Sequence, residues 1–133
     1  MLSGKFGVAT RSPMELIDVT RRLQDIVTEQ SITQGLCTVF NPHTTAGVTI
    51  NEGADPDVQD DIIGAMRRIV PLDYPYKHRE GNSPSHVMAT LTGSSVTIFI
   101  AQGQLQLGTW QRIFFCEFDG PRQRKLTWQI LPG

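Results

Sequence analysis

Asn41-Pro42-His43-Thr44-Thr45-Ala46-Gly47-Val48-Thr49-Ile50-Asn51-Glu52 is the stretch on which the reading of the fold turns. An apolar run, Leu36 to Phe40, leads into it. A short link with one proline, one histidine and two threonines follows. The chain then returns to a β-pattern, with Ala46, Val48 and Ile50 alternating with Gly47, Thr49 and Asn51. This predicts two strands, with His43 at their link and the carboxylate of Glu52 at the far end. Strand ends are where rigid scaffold meets solvent, and sites are commonly built there. An ordinary hairpin with polar ends accounts for the same residues.

Upstream, residues 2–10 alternate weakly around Phe6 and Val8 and suggest a first strand. Ser12-Pro13-Met14-Glu15 carries a helix-start signal, while Leu16-Ile17-Asp18-Val19 also reads as a short strand. From Asp18 onward Val19, Leu23, Ile26 and Val27 share one helical face.

Downstream, Asp55-Pro56-Asp57 marks a helix start: an N-cap acid, a proline at the first helical position and a second acid in the first turn. Val58, Ile62, Ala65 and Ile69 then predict one buried stripe, with Asp61 at its edge, until Pro71 stops the helix. Residues 71–85 form a polar, tyrosine-bearing loop of the kind that is usually functional when ordered. Ser85 to Leu91 suits a short helix with His86 in its first turn. Val96, Ile98 and Ile100 begin a strand that turns at Gln102-Gly103-Gln104. Arg112 to Phe118 is apolar on both faces, which places it between two layers or against another subunit. Glu117 on such a strand needs a partner or a raised pKa. Leu126, Trp128 and Ile130 predict a last, edge strand.

A chain of 133 residues suits one domain, 1–133, large enough to fold without a metal or disulfide. A net charge of -1 gives no footprint for nucleic acid or a membrane surface, so neither is expected as a partner. The one basic cluster, Arg122, Arg124 and Lys125, reads as a solvated edge strand, with a phosphate contact as the sharper alternative. Cys37 and Cys116 lie in apolar runs, as buried small hydrophobes do. With no Cys-x-x-Cys and no secretory signal in view, a cytoplasmic protein with reduced thiols is expected.

The chemistry-bearing residues are His43, His78 and His86, with Glu52, Asp55, Asp61, Glu80 and Glu117. Imidazole is the commonest metal ligand, but gaps of 35 and 8 residues match no linear zinc motif. Hydrogen-bonded surface histidines are the alternative. No nucleophile elbow, P-loop, dinucleotide fingerprint or His-Glu-x-x-His occurs, so the residue types leave acid–base or metal-assisted chemistry.

Six segments occur in register: Pro42-His43-Thr44-Thr45-Ala46, Thr49-Ile50-Asn51-Glu52, Asp55-Pro56-Asp57-Val58, Glu80-Gly81-Asn82 through Ser85-His86, Leu91-Thr92-Gly93-Ser94-Ser95, and Leu107-Gly108-Thr109-Trp110-Gln111. Together they resemble the YjbQ family, to which the label secondary thiamine-phosphate synthase attaches. The resemblance implies an α+β fold of mostly antiparallel sheet layers with two main helices and one short helix. It also implies a homotrimer, and a strand rather than a helix at Ser12 to Val19. His43, Glu52, His86 and the Gly108–Gln111 segment fall on the family's motif positions, and His78 and Glu80 on a less regular part.

The site expected from this has His43, Glu52 and His86 as catalytic groups. Thr44, Asn82, Thr109 and Gln111 would touch a small, phosphorylated substrate. His43, His78 and His86 would hold a divalent metal, zinc or magnesium. A non-catalytic trimer that binds a metal or small ligand is the alternative. One geometric demand follows. A straight strand rising ~3.4 Å per residue sets His43 and Glu52 on the order of 25–30 Å apart, so either the strand bends or a neighbouring subunit closes the gap.

Overall fold

The computed structural model describes residues 2–133. In chain order the elements are β1 (Leu2–Ala9), β2 (Glu15–Asp18), α1 (Thr20–Glu29), β3 (Gly35–Phe40), β4 (Ala46–Glu52), α2 (Pro56–Ile69), α3 (Ser83–Thr92), β5 (Ser95–Ala101), β6 (Gln104–Leu105), β7 (Gln111–Glu117) and β8 (Gln123–Pro132). Five strands form one sheet in the order β1-β8-β3-β5-β6, and three form a second, β2-β7-β4. All pairings are antiparallel. The fold is α+β, with three helices on antiparallel sheet layers.

The Asn41–Thr45 link is not a hairpin. It carries the chain from β3 in the larger sheet to β4 in the smaller one. The tight turn lies elsewhere, at Gln102 and Gly103, whose φ values of 53° and 75° suit a two-residue connection between β5 and β6. The Ser12–Glu15 signal caps no helix. Glu15 Oε2 instead accepts from the backbone N–H groups of Arg11 and Ser12, at 2.6 and 2.9 Å, and opens β2.

The main core lies between the sheets. There Val8, Val39, Val48, Phe115, Leu126 and Ile130 meet Leu23 and Val27 of α1. The opposite face of β7, carrying Phe114 and Cys116, packs with Phe118 against Val70, Met88 and Ala89. The chain's own two layers therefore cover both faces of β7, and no second subunit is needed to bury it. β8 is not an edge strand: it pairs with β1 on one side and β3 on the other.

α2 departs most from its sequence pattern. Asp55 caps it as expected, its carboxylate accepting from the Asp57 N–H at 3.0 Å. Yet no residue of α2 is buried. Val58 and Ile62 are half-covered, and Ala65, Ile69 and Asp61 are exposed. A 3.6-residue period reports that a helix has an apolar face, not that the same chain covers it.

Candidate functional site

His43 owes its position to Asn41, a buried side chain at the end of β3. Asn41 Oδ1 accepts from the His43 N–H at 3.0 Å. Its Nδ2 donates to the carbonyls of His43, at 3.1 Å, and Ala46, at 2.7 Å. One amide thus ties down the whole link. The His43 ring stands edge-on to Phe115. Its Nε2 lies 2.9 Å from the backbone N of Lys125 and 3.1 Å from the Lys125 carbonyl. One tautomer accepts from the N–H and carries its proton on Nδ1. The other donates to the carbonyl and leaves Nδ1 bare. In the second form Nδ1 can take a proton while Nε2–H keeps its acceptor, which is what a general base requires.

Burial lowers the pKa of His43, and the Arg124 charge lowers it further, against the opposing pull of the Lys125 backbone contact and Glu117. Neutral His43 is therefore the favoured form. Arg124 lies beneath, 5% exposed, paired with the fully buried Glu117. Arg124 Nε donates to Glu117 Oε1 at 2.8 Å and Nη2 donates to Oε2 and to Thr45 Oγ1. Burial alone would raise the Glu117 carboxyl. Hydrogen bonds from Arg124, Thr10 and the Asp119 N–H outweigh it and hold the group below its ordinary 4.5.

α3 brings the second set of groups. His86 is in its first turn, and the preceding loop returns His78 so that the two rings meet edge to face, 5.4 Å between centroids. Glu80 Oε2 stands 3.9 Å from His78 Nε2. Asn82 donates from Nδ2 to Asp119 Oδ2 at 2.9 Å. That bond fixes the amide's orientation, and among the described residues Oδ1 is left buried without a partner.

His43, His78 and His86 line one open cleft of about 440 Å³, together with Thr44, Glu80, Asn82, Arg122 and Arg124. Glu52, Thr109 and Gln111 are elsewhere. β4 pairs with β7 from Ala46–Glu117 to Glu52–Gln111. At ~3.4 Å per residue, the two ends of this pair lie about 20 Å apart. Glu52 accepts from the Asp55 N–H at 3.1 Å, outside the histidine cleft. Thr109 and Gln111 line a second cleft of about 410 Å³ with Arg21 and Arg112. Within one chain the expected site is thus two separate clusters.

For a divalent metal the fit is partial. Zinc holds imidazole nitrogens at about 2.0–2.1 Å in tetrahedral geometry, which suits two rings about 5 Å apart, and His78 and His86 meet that condition. The Lys125 backbone holds His43 through Nε2. Among the described residues no three of His, Cys, Asp and Glu stand close enough to hold one ion. The cysteines offer no nucleophile: burial pushes the Cys37 and Cys116 thiols up to about 11 and about 12.

Asn41 and Arg124 carry much of this geometry, and neither was among the expected site residues. The Asn-Pro step marks a turn, a usable local signal for Asn41. For Arg124 there were two signals: its place in the basic cluster with Arg122 and Lys125, and Glu117, an acid on an apolar strand in need of a partner.

Residues 4–133 match the family model described as "UPF0047 protein YjbQ-like". A UPF0047 protein of Methanocaldococcus jannaschii is 43% identical over 127 residues, covering 96% of this chain and 92% of that protein. The solved structure of a YjbQ/UPF0047-family protein from Clostridium acetobutylicum is 47% identical, with a TM-score of 0.93 over 96% of this chain and 98% of that one. A structure from Aeropyrum pernix gives 37% identity and a TM-score of 0.94 over 100% of both chains.

Proposed function

The chain belongs to the UPF0047, YjbQ-like family, and on that footing we propose that it is a small cytoplasmic enzyme whose histidine cleft works on a small phosphorylated substrate. One observation carries this reading. Three histidines from separate segments line one cleft together with two arginines, and the best-held of the three, His43, is poised in its neutral form. A neutral imidazole with a bare nitrogen can remove a proton from a bound substrate and return it. His86 and Thr44 would orient the substrate at the mouth.

The reaction suggested by the family resemblance is formation of thiamine phosphate, as a secondary activity. There the ring nitrogen of a thiazole phosphate attacks the methylene carbon of a pyrimidine diphosphate. A C–N bond forms, the C–O bond to pyrophosphate breaks, and the pyrophosphate leaves with the electron pair. No proton is removed in this displacement, so neutral His43 would serve it as a hydrogen-bond partner of the substrate and not as a base. A divalent metal on His78 and His86 would supply positive charge for that leaving group. Few residues of the cleft carry an unpaired charge, so binding is weak and turnover slow.

The test is steady-state synthesis from the two phosphorylated precursors with magnesium present. His86→Ala should lower the rate by about 100-fold through lost positioning, with the fold intact by circular dichroism. An unchanged rate removes the cleft from the chemistry. Glu52→Gln reports on assembly. A loss of rate there means that a neighbouring copy brings Glu52 to the histidines, as the homotrimer expected of the family would allow. A second reading, a trimeric binding module without turnover, draws on the distance between Glu52 and the histidines in one chain. Under it both variants leave a zero rate unchanged while a ligand still binds.

A further inference from the structure

We propose that Arg122 and Arg124 form a two-pronged clamp for a phosphoryl group in the wall of the histidine cleft. The two guanidinium groups are held in the same way. Arg124 donates through Nε and Nη2 to Glu117, with Nη2 also reaching Thr45. Arg122 donates through Nε to the Asp119 carbonyl at 2.7 Å and through Nη2 to Asp119 Oδ2 at 2.9 Å. Each therefore presents its third nitrogen, Nη1, with no protein partner among the described residues. Both residues line the cleft.

A guanidinium carries five N–H donors in a rigid plane, two of them on Nη1. Anchoring the other side fixes where those two point, and little conformational freedom remains to be lost on binding. Arg124 is nearly buried, so it has little freedom at all. Two such forks, two residues apart in the chain, suit a tetrahedral anion with several acceptor oxygens. Glu117 and Asp119 offset the two charges, and Glu80 adds a negative group. Recognition therefore comes from directed donors rather than excess positive charge. Ligands bearing phosphate or diphosphate are the class that fits.

The inference rests on the reading of the cleft as a substrate site, but its test needs no turnover. Calorimetric titration of the full chain, freed of metal by a chelator, with inorganic phosphate and inorganic pyrophosphate measures the clamp directly. Arg122→Ala removes a half-exposed side chain. Arg124→Lys keeps a cation beside Glu117 while removing the fork. Each is expected to weaken pyrophosphate binding about tenfold or more, with the thermal midpoint recorded as a check on folding. If Arg124→Lys does not fold, Arg122→Ala decides alone. Absence of binding to either anion at millimolar concentration overturns the clamp. So does binding within twofold of the parent protein in the folded variants. A failed synthase assay with arginine-dependent pyrophosphate binding would sink the proposed reaction and leave the clamp standing.

Discussion

His43 shows how a single side chain is tuned by what surrounds it. Burial and the Arg124 charge lower its pKa below the ordinary 6.5. For a histidine whose folded pKa is depressed, the unfolded chain binds the proton more readily. Its contribution to stability is therefore complete above about 6.5 and is lost as the pH falls through the folded value. Glu117 acts in the same direction at lower pH, with a contribution lost as the pH falls below 4.5 and through its folded value. We expect the His43 ring proton to titrate by NMR with a midpoint under 6.5. Arg124→Lys keeps the charge, so it should leave that midpoint low. A midpoint at or above the ordinary value would show that the Lys125 backbone contact governs the ring instead.

Among the elements, β4 and α3 set the spacing of the cleft. α3 ends against β4, where the Val48 N–H donates to the Gly93 carbonyl at 3.1 Å. Gly47 permits that approach. A Cβ there would stand 2.7 Å from Thr92 Cγ2 and 3.0 Å from the Gly93 carbonyl oxygen. Gly47→Ala must push the helix end away, and with it the element that carries His86. We expect a loss of about 1–3 kcal/mol in urea unfolding, together with weaker activity. A variant as stable as the parent would mean that the end of α3 yields freely. Most strands were legible from alternation, and β7 from its two apolar faces, whereas β2 lay under a helix-start signal that left its residues open between helix and strand. The partners of β8 were not, because periodicity describes a strand's faces and is silent on its edges.

At the scale of the whole molecule, some apolar surface is left uncovered. Phe99, Leu36 and Leu131 stand side by side on the outer face of the larger sheet, 68%, 37% and 55% exposed. Ile69 of α2 is 66% exposed. A homotrimer would cover part of this surface, and light scattering at low micromolar concentration should then give three chains per particle. Ile69→Glu is expected to shift that mass toward the monomer without unfolding the chain. A monomeric parent protein would remove the shared-site reading of Glu52. The family resemblance implied the α+β class and the strand at Ser12 to Val19, while the residues by themselves determined most of the other strands, the cap of α2 and the turn at Gln102–Gly103. What the residues determined follows from side-chain period or from φ preferences acting over a few neighbouring residues. Only the tertiary structure decided that the Asn41–Thr45 link crosses between sheets, that Glu117 finds Arg124, and that His43 joins His78 and His86 while Glu52 lies at the opposite end of β4. Those outcomes depend on which strand edges pair across long loops, and no local pattern encodes an edge's partner.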